Sequence, residues 1–256
     1  MDLKLKGKRT IVLGGTRGIG RAIADTLADE GAHVAICARN KDQVDPAVAA
    51  LAARGVRATG AAIDMAKPAD LKAWISGVAA DFGGIDILVS NASALVMGAG
   101  REAWESMLHV DILGAVAAFE AARPHLEKAA SEHGDASVVM ISSISAAETQ
   151  NPGAYGAMKA AMIHYAKGLA KECARAKVRV NVVSPGTIYF KGGVWHNVEQ
   201  MAPQMYEATL KRNPTGRMGT PQEIANAAVF LASPVSSFTT GANLIVDGAM
   251  TSRVNY

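Results

Sequence analysis

Cysteine is scarce. Only Cys37 and Cys173 occur in 256 residues, both in apolar stretches and without metal-ligand spacing. That excludes a disulfide framework and a thiolate metal centre, and points to buried free thiols in a reducing compartment. Charge of one sign is also lacking. The formal net charge is +3, with no long basic run, so nucleic acid is not an expected partner. No uninterrupted apolar run approaches the roughly 18 residues that a membrane span requires. The segment Met1-Asp2-Leu3-Lys4-Leu5-Lys6 shows no apolar leader before the first strand pattern. Internal repeats, low-complexity stretches and an interdomain linker are absent too. A cytoplasmic protein with no membrane partner is the expectation.

What is present is core-forming material. Half of the residues are hydrophobic, and strand and helix patterns alternate along the whole chain. This predicts an α/β fold: one doubly wound parallel sheet, a Rossmann fold, with helices on both faces. A single domain over 1–256 is expected. The strands are read at Arg9–Gly14, Ala32–Ala38, Arg57–Ile63, Ile85–Ser90, Ala136–Ile141, Val178–Val183 and Asn243–Val246. A long helix is expected from about Glu102 to Leu126, with Pro124 near its last turn, and another from Ala154 to Ala174. Between Thr187 and Asn213 no strong period is visible. That stretch holds Tyr189, Phe190, Trp195 and Tyr206, with Met201, Met205 and the hinge-like pair Gly192-Gly193. A long segment after a strand's carboxyl end is where a substrate lid belongs; an interface arm is the competing reading.

The first strand runs into Gly14-Gly15-Thr16-Arg17-Gly18-Ile19-Gly20 and then an amphipathic helix. A glycine-rich turn lets the backbone approach a pyrophosphate, and the helix N-terminus supplies N–H groups and partial positive charge. The second strand ends Cys37-Ala38-Arg39-Asn40, with no carboxylate before Asp42. An acid there would hold a ribose 2′-hydroxyl, whereas arginine suits a 2′-phosphate. Arg17 and Arg39 therefore favour NADP(H) over NAD(H). Asp64 closes the third strand, where it can meet an adenine amino group or cap the next turn. Asn91 ends the fourth strand, with cofactor contact and strand tying as competing roles.

Tyr155 and Lys159 lie one helical turn apart and so share a face. A cation beside a phenol favours the phenolate, which is the tuning that general acid–base catalysis needs. Ser142 and Ser143 stand thirteen and twelve residues before Tyr155, at the end of the fifth strand. A hydroxyl there can donate to a carbonyl oxygen held near the phenol, or simply cap a turn. Asp111 lies among apolar neighbours on the long helix.

Taken in order, Gly14-x3-Gly18-x-Gly20, Asp64, Asn91-Ala92, Ile-Ser-Ser, Tyr155-x3-Lys159, Asn181, Pro185-Gly186 and Val246-Asp247-Gly248 resemble the short-chain dehydrogenase/reductase family. The resemblance covers essentially the whole chain. It implies reversible hydride transfer between a nicotinamide cofactor and a carbonyl/secondary alcohol pair, and the aromatic and methionine content of 187–213 suggests a ketone, cyclic ketone or 3-oxoacyl substrate. It also implies that Tyr155 is the proton donor, that Lys159 tunes it and binds the nicotinamide ribose, and that a serine polarises the substrate oxygen. Ser143 is the expected serine and Ser142 its rival, since the longer spacing is the commoner one in the family. The cofactor set would be Gly14, Thr16, Arg17, Gly18, Ile19, Gly20, Arg39, Asp64, Asn91, Tyr155, Lys159, Pro185, Gly186 and Thr187, the last beside the nicotinamide carboxamide.

Three positions depart from the family pattern. Leu13 and Ser93 replace a threonine and a glycine. Asp111 stands where the family carries an asparagine that helps seat a water leading from the lysine to solvent. An ionised Asp111 near Lys159 would partly offset the cation's pull on Tyr155. The departures keep a second reading open, a non-catalytic NADP-binding regulator on the same fold. Assembly into a homotetramer or homodimer is implied by the resemblance. The alanine-rich stretches near Gly114–Ala122 and Ala157–Ala174 can pack against copies of themselves or against the chain's own sheet.

Overall fold

The computed structural model describes residues 2–149 and 152–254. Among the described residues seven strands form one sheet: β1 (Arg9–Leu13), β2 (His33–Ala38), β3 (Ala58–Ala62), β4 (Ile87–Ser90), β5 (Ala136–Ile141), β6 (Val178–Pro185) and β7 (Asn243–Val246). Their order is β3-β2-β1-β4-β5-β6-β7, and every pairing is parallel. Parallel strands need crossovers, so helices cover both faces.

The strand residues sort by parity. Ile11 and Leu13 face one core, with Leu71, Phe119, Leu126, Met162 and Leu169. Val12 faces the other, with Ile23, Leu27, Leu51, Ile224 and Val229. The helices of the first core are α3 (Pro68–Phe82), α5 (Gly114–His133) and α6 (Ala154–Cys173); those of the second are α1 (Gly18–Asp29), α2 (Lys41–Ala52) and α9 (Pro221–Ala232). Each fully buried leucine or isoleucine contributes about 1.5–3 kcal/mol. The small residues of α5, among them Ala117, Ala118 and Ala122, pack inside the chain's own core. They are not a free face for a second copy.

Two expectations need correction. The long helix is α4 (Arg101–Met107), a π-helical turn over Leu108–Leu113, and then α5. α5 continues past Pro124 to His133. A proline inside a helix costs about 3 kcal/mol; burial of Leu126, Ala129 and Ala130 beyond it is of the size to offset that cost. The stretch 187–213 also holds two helices, α7 (Val194–Met201) and α8 (Pro203–Arg212). Both are short, and Ala202 separates them with non-helical backbone, so no single period spans the segment.

Strand order reverses between β1 and β4, which places a crevice at their carboxyl ends. Gly14 leaves β1 there, and Asn91 leaves β4. The Asn91 side-chain amide donates to Gly14 O at 3.0 Å and Leu13 O at 3.4 Å, tying the two strand ends together.

Candidate active site

The crevice begins with a turn that only glycine fits. Gly14 and Gly18 have φ of +74° and +55°. A Cβ on Gly20 would stand 2.1 Å from Gly14 O, and one on Gly14 3.0 Å from the Ala92 Cα. Arg17, the N-cap of α1, makes no side-chain capping bond, and no acidic residue occupies the first turn. The leading N–H groups of α1 are thus left for a ligand, and an anion suits them. Thr16 Oγ1 lies 3.3 Å from Gln43 Oε1, so it braces the turn against α2. Arg17 and Arg39 are exposed, Arg39 just beyond β2. These residues fit a dinucleotide with a phosphorylated ribose: a bare-backbone cradle, uncapped donors and two cations.

Asp64 lies two residues past β3, and its Oδ1 accepts from Ala66 N at 3.0 Å. It caps the turn, as one of the two readings held, and keeps its second oxygen free of that bond. At the far side of the crevice β6 ends in Pro185. A Cβ on Gly186 would meet the Asp247 Cα at 2.7 Å, so glycine is required where β6 passes the segment after β7. Thr187 is buried, with Oγ1 at 3.9 Å from Met250 Sδ.

Between these walls stands α6. Lys159 is buried, and its ammonium donates to Ile141 O at 3.1 Å. Asp111 Oδ1 lies 3.0 Å from the same nitrogen, and both side chains are almost wholly shielded. That oxygen makes no hydrogen bond of good angle among the described residues; charge, at contact distance, joins the pair. Asp111 Oδ2 accepts from Ala94 N at 2.9 Å. Asp111 thus links the loop after β4 to α6. It sits in the π-helical turn, a distortion that recurs at functional sites. The ammonium is 5.8 Å from the centre of the Tyr155 ring.

The two serines separate by geometry. Ser142 Oγ donates to Lys159 O at 2.9 Å and is buried, so its proton is committed to α6. Ser143 Oγ accepts from Ser145 N at 3.1 Å, which leaves its own proton to give. A Cβ on Gly156 would lie 2.6 Å from Ser145 O. The serine turn therefore packs on the residue next to Tyr155, and glycine there permits the approach.

The 187–213 segment leans over this crevice. Phe190 rests on Gly18: a Cβ on that glycine would be 2.5 Å from the ring's Cζ. Arg17 Nη1 donates to Gly192 O at 3.4 Å. Within the segment the Tyr189 hydroxyl donates to Glu199, and this bond, with burial, pushes the phenol up to about 12. Tyr189 is edge-on to His196 and Tyr206, and His196 Nδ1 is buried without a hydrogen-bond partner among the described residues. The sequence showed these aromatics as a cluster. It did not show that one of them meets the glycine turn, because that contact joins residues 172 positions apart; only the bare pair Gly192-Gly193 beside Phe190 hinted at it. Among the described residues no cluster of metal-ligating side chains occurs, and no helix is long and apolar enough to cross a membrane.

Residues 14–251 match the family model described as "Enoyl-(Acyl carrier protein) reductase". Isoepoxydon dehydrogenase patN of Penicillium expansum is 38% identical over 251 residues, covering 96% of this chain and 95% of that protein. Dehydrogenase/reductase SDR family member 4 of Oryctolagus cuniculus is 36% identical, covering 98% and 96%. The structure of L-sorbose reductase from Gluconobacter frateurii, complexed with NADPH and L-sorbose, superposes with a TM-score of 0.89 at 30% identity, over 99% of this chain and 100% of that one.

Proposed function

Because this chain belongs to the short-chain dehydrogenase/reductase family, we propose that it is an NADP(H)-dependent oxidoreductase interconverting a ketone and a secondary alcohol. One observation carries the reading: a buried ammonium, Lys159, is held by Ile141 O and Asp111 at 5.8 Å from the Tyr155 ring. A phenol paired in this way is built to move a proton.

When bound, a nicotinamide would supply the hydride for the carbonyl carbon. The protein's share is the oxygen. Tyr155 gives its hydroxyl proton to the carbonyl oxygen as negative charge develops there. Lys159 favours the phenolate left behind, and it would hold the nicotinamide ribose. Ser143 donates to the same oxygen, with its lone pair already engaged by Ser145 N. A donor preorganised where charge develops contributes about 10²–10³ in rate. Arg17 and Arg39 would hold the 2′-phosphate, Asp64 and Asn91 would line the adenosine and nicotinamide sides, and Thr187 would meet the carboxamide.

The 187–213 segment acts as the substrate lid of a single domain. Its aromatic and methionine content suits a cyclic or apolar ketone, or an acyl chain. The relatives' names, isoepoxydon dehydrogenase and L-sorbose reductase, add small ring and polyol substrates to those worth testing. The buried free thiols Cys37 and Cys173 fit a reducing cytoplasm, and burial holds the Cys37 thiol up at about 12. We extend the reading to a homodimer or homotetramer.

The test is cofactor consumption by purified protein. Cyclic ketones, quinones, ketoses and 3-oxoacyl thioesters are offered with NADPH and NADH in parallel, and Tyr155→Phe serves as control. Turnover with NADPH that falls by about 10²–10⁴ in the control is expected. Tight NADPH binding without turnover on any substrate would instead assign a non-catalytic NADP-binding regulator.

A further inference from the structure

Phe190 occupies a slot made by two glycines. A Cβ on Gly18 would stand 2.5 Å from its Cζ and 2.9 Å from both Cε atoms; a Cβ on Gly193 would stand 2.7 Å from Cε1. The ring lies against two bare α-carbons, one in the dinucleotide turn and one at the start of α7. Neither contact survives an added methyl group.

The backbone around the ring is arranged asymmetrically. Upstream it is anchored, since Tyr189 N donates to Gly219 O and Gly219 N to Thr187 O, both at 2.9 Å. Downstream it can hinge. Gly192 has φ of +79°, and Gly193 N donates to Phe190 O at 2.9 Å, closing a tight turn. The 3.4 Å contact from Arg17 Nη1 to Gly192 O joins the same two segments beside the ring.

We propose that Phe190 is a latch on the dinucleotide: NADP(H) enters and leaves the turn only when the ring lifts from Gly18. The inference rests on the dinucleotide reading given above. Its physical basis is that the ring stands on Gly18, the first residue of α1, whose leading N–H groups are the donors a pyrophosphate would use. An apolar ring at that point excludes water from those donors, and hydrogen bonds to charge are stronger where water is excluded. The lid and the cofactor turn therefore close as one unit, hinged at Gly192-Gly193.

The experiment is a displacement measurement on the purified full chain. Protein loaded with NADPH is mixed with excess NADP⁺, and the loss of bound-NADPH fluorescence gives the dissociation rate. Phe190→Ala removes the ring and is expected to speed dissociation by about tenfold, the scale of a lost aromatic contact. Gly193→Ala keeps the ring but fills its slot. The backbone of Gly193, at φ −85° and ψ 176°, accepts alanine without strain, so this variant separates loss of the latch from loss of folding. It too is expected to release NADPH faster. Phe190→Tyr adds a hydroxyl at Cζ, the ring atom nearest Gly18, and is also expected to release NADPH faster. Thermal unfolding without cofactor checks that all three fold. Native dissociation rates in both Phe190→Ala and Gly193→Ala would overturn the latch alone. No NADPH binding by the native chain would overturn the latch together with the dinucleotide reading.

Discussion

Asp111 and Lys159 form a charge pair in which neither side chain reaches solvent. The carboxylate takes up part of the field that the ammonium would otherwise direct at Tyr155. Tyr155 lies beside this pair, and Ile141 O and Ala94 N are its neutral partners. Asp111→Asn keeps an oxygen that can accept from Ala94 N but leaves the buried Lys159 ammonium without its counter-ion. The loss is expected to cost about 3–5 kcal/mol of stability, read by urea unfolding. Unchanged stability would contradict a structural weight for the pair.

The serines give a second residue-scale prediction. Ser143→Ala should lower kcat by about 10²–10³ and leave NADPH affinity intact. Ser142→Ala should remove the side-chain bond that Lys159 O accepts and cost about 0.5–1.5 kcal/mol of stability, read by urea unfolding. Equal effects in both assays would contradict the assignment of the catalytic proton to Ser143. The sequence could name both serines, because the Ile-Ser-Ser run is local. It could not separate them, since the distinction lies in which hydroxyl reaches back to Lys159 O, a bond across the fold.

At the scale of elements, the β1–β4 junction depends on Asp86. Its carboxylate accepts from Arg9 N at 2.8 Å and from Arg9 Nε and Nη2 at 2.7 and 3.0 Å. Burial works against the charge. The bonds and charge of Arg9, with Lys8 beside it, outweigh burial and hold Asp86 below the usual carboxylate range. A carboxyl lowered on folding adds stability above its unfolded value of about 3.9, and that stability is lost as pH falls below it. Asp86→Asn is therefore expected to cost about 3–5 kcal/mol at neutral pH, and the gap to the native chain should close below about pH 4. Denaturant unfolding at both pH values checks this; a gap independent of pH would contradict it.

Elements were legible in the sequence where one local rule decided them. The strands alternate with amphipathic helices. Pro221 opens α9 behind Thr220, whose side chain and Glu223 form a reciprocal cap. Legibility failed where tertiary packing overrode a local rule. Pro124 does not end α5, because the buried residues beyond it hold the helix on the sheet. The π-helical turn at Leu108–Leu113 has no local signature, and it is the feature that carries Asp111.

For the molecule as a whole, strand order places the glycine turn, Asn91, the serine turn and Pro185-Gly186 at one edge of the sheet, the carboxyl edge. Function classes could be read in advance because each motif marks one strand end, and a parallel sheet brings those ends together. What could not be read was the contact of Phe190 with Gly18, which joins residues far apart in the chain. Assembly is a separate question at this scale. Trp104, Leu108 and Leu113 remain partly exposed along α4 and the turn that follows, and a surface of that kind is expected to be covered by a second copy. Light scattering should give two or four times the mass of one chain; a monomer would exclude the assembly.

The central claim is that hydride passes from the nicotinamide to a carbonyl carbon in this crevice while Tyr155 supplies the proton. The direct measurement uses NADPH deuterated at C4 of the nicotinamide, on the transferred face, with a ketone that the protein turns over. Mass spectrometry and NMR of the alcohol should place one deuterium on the carbinol carbon. Unlabelled NADPH in heavy water should place none there. A carbinol carbon without the label, or labelled from solvent, would contradict the account.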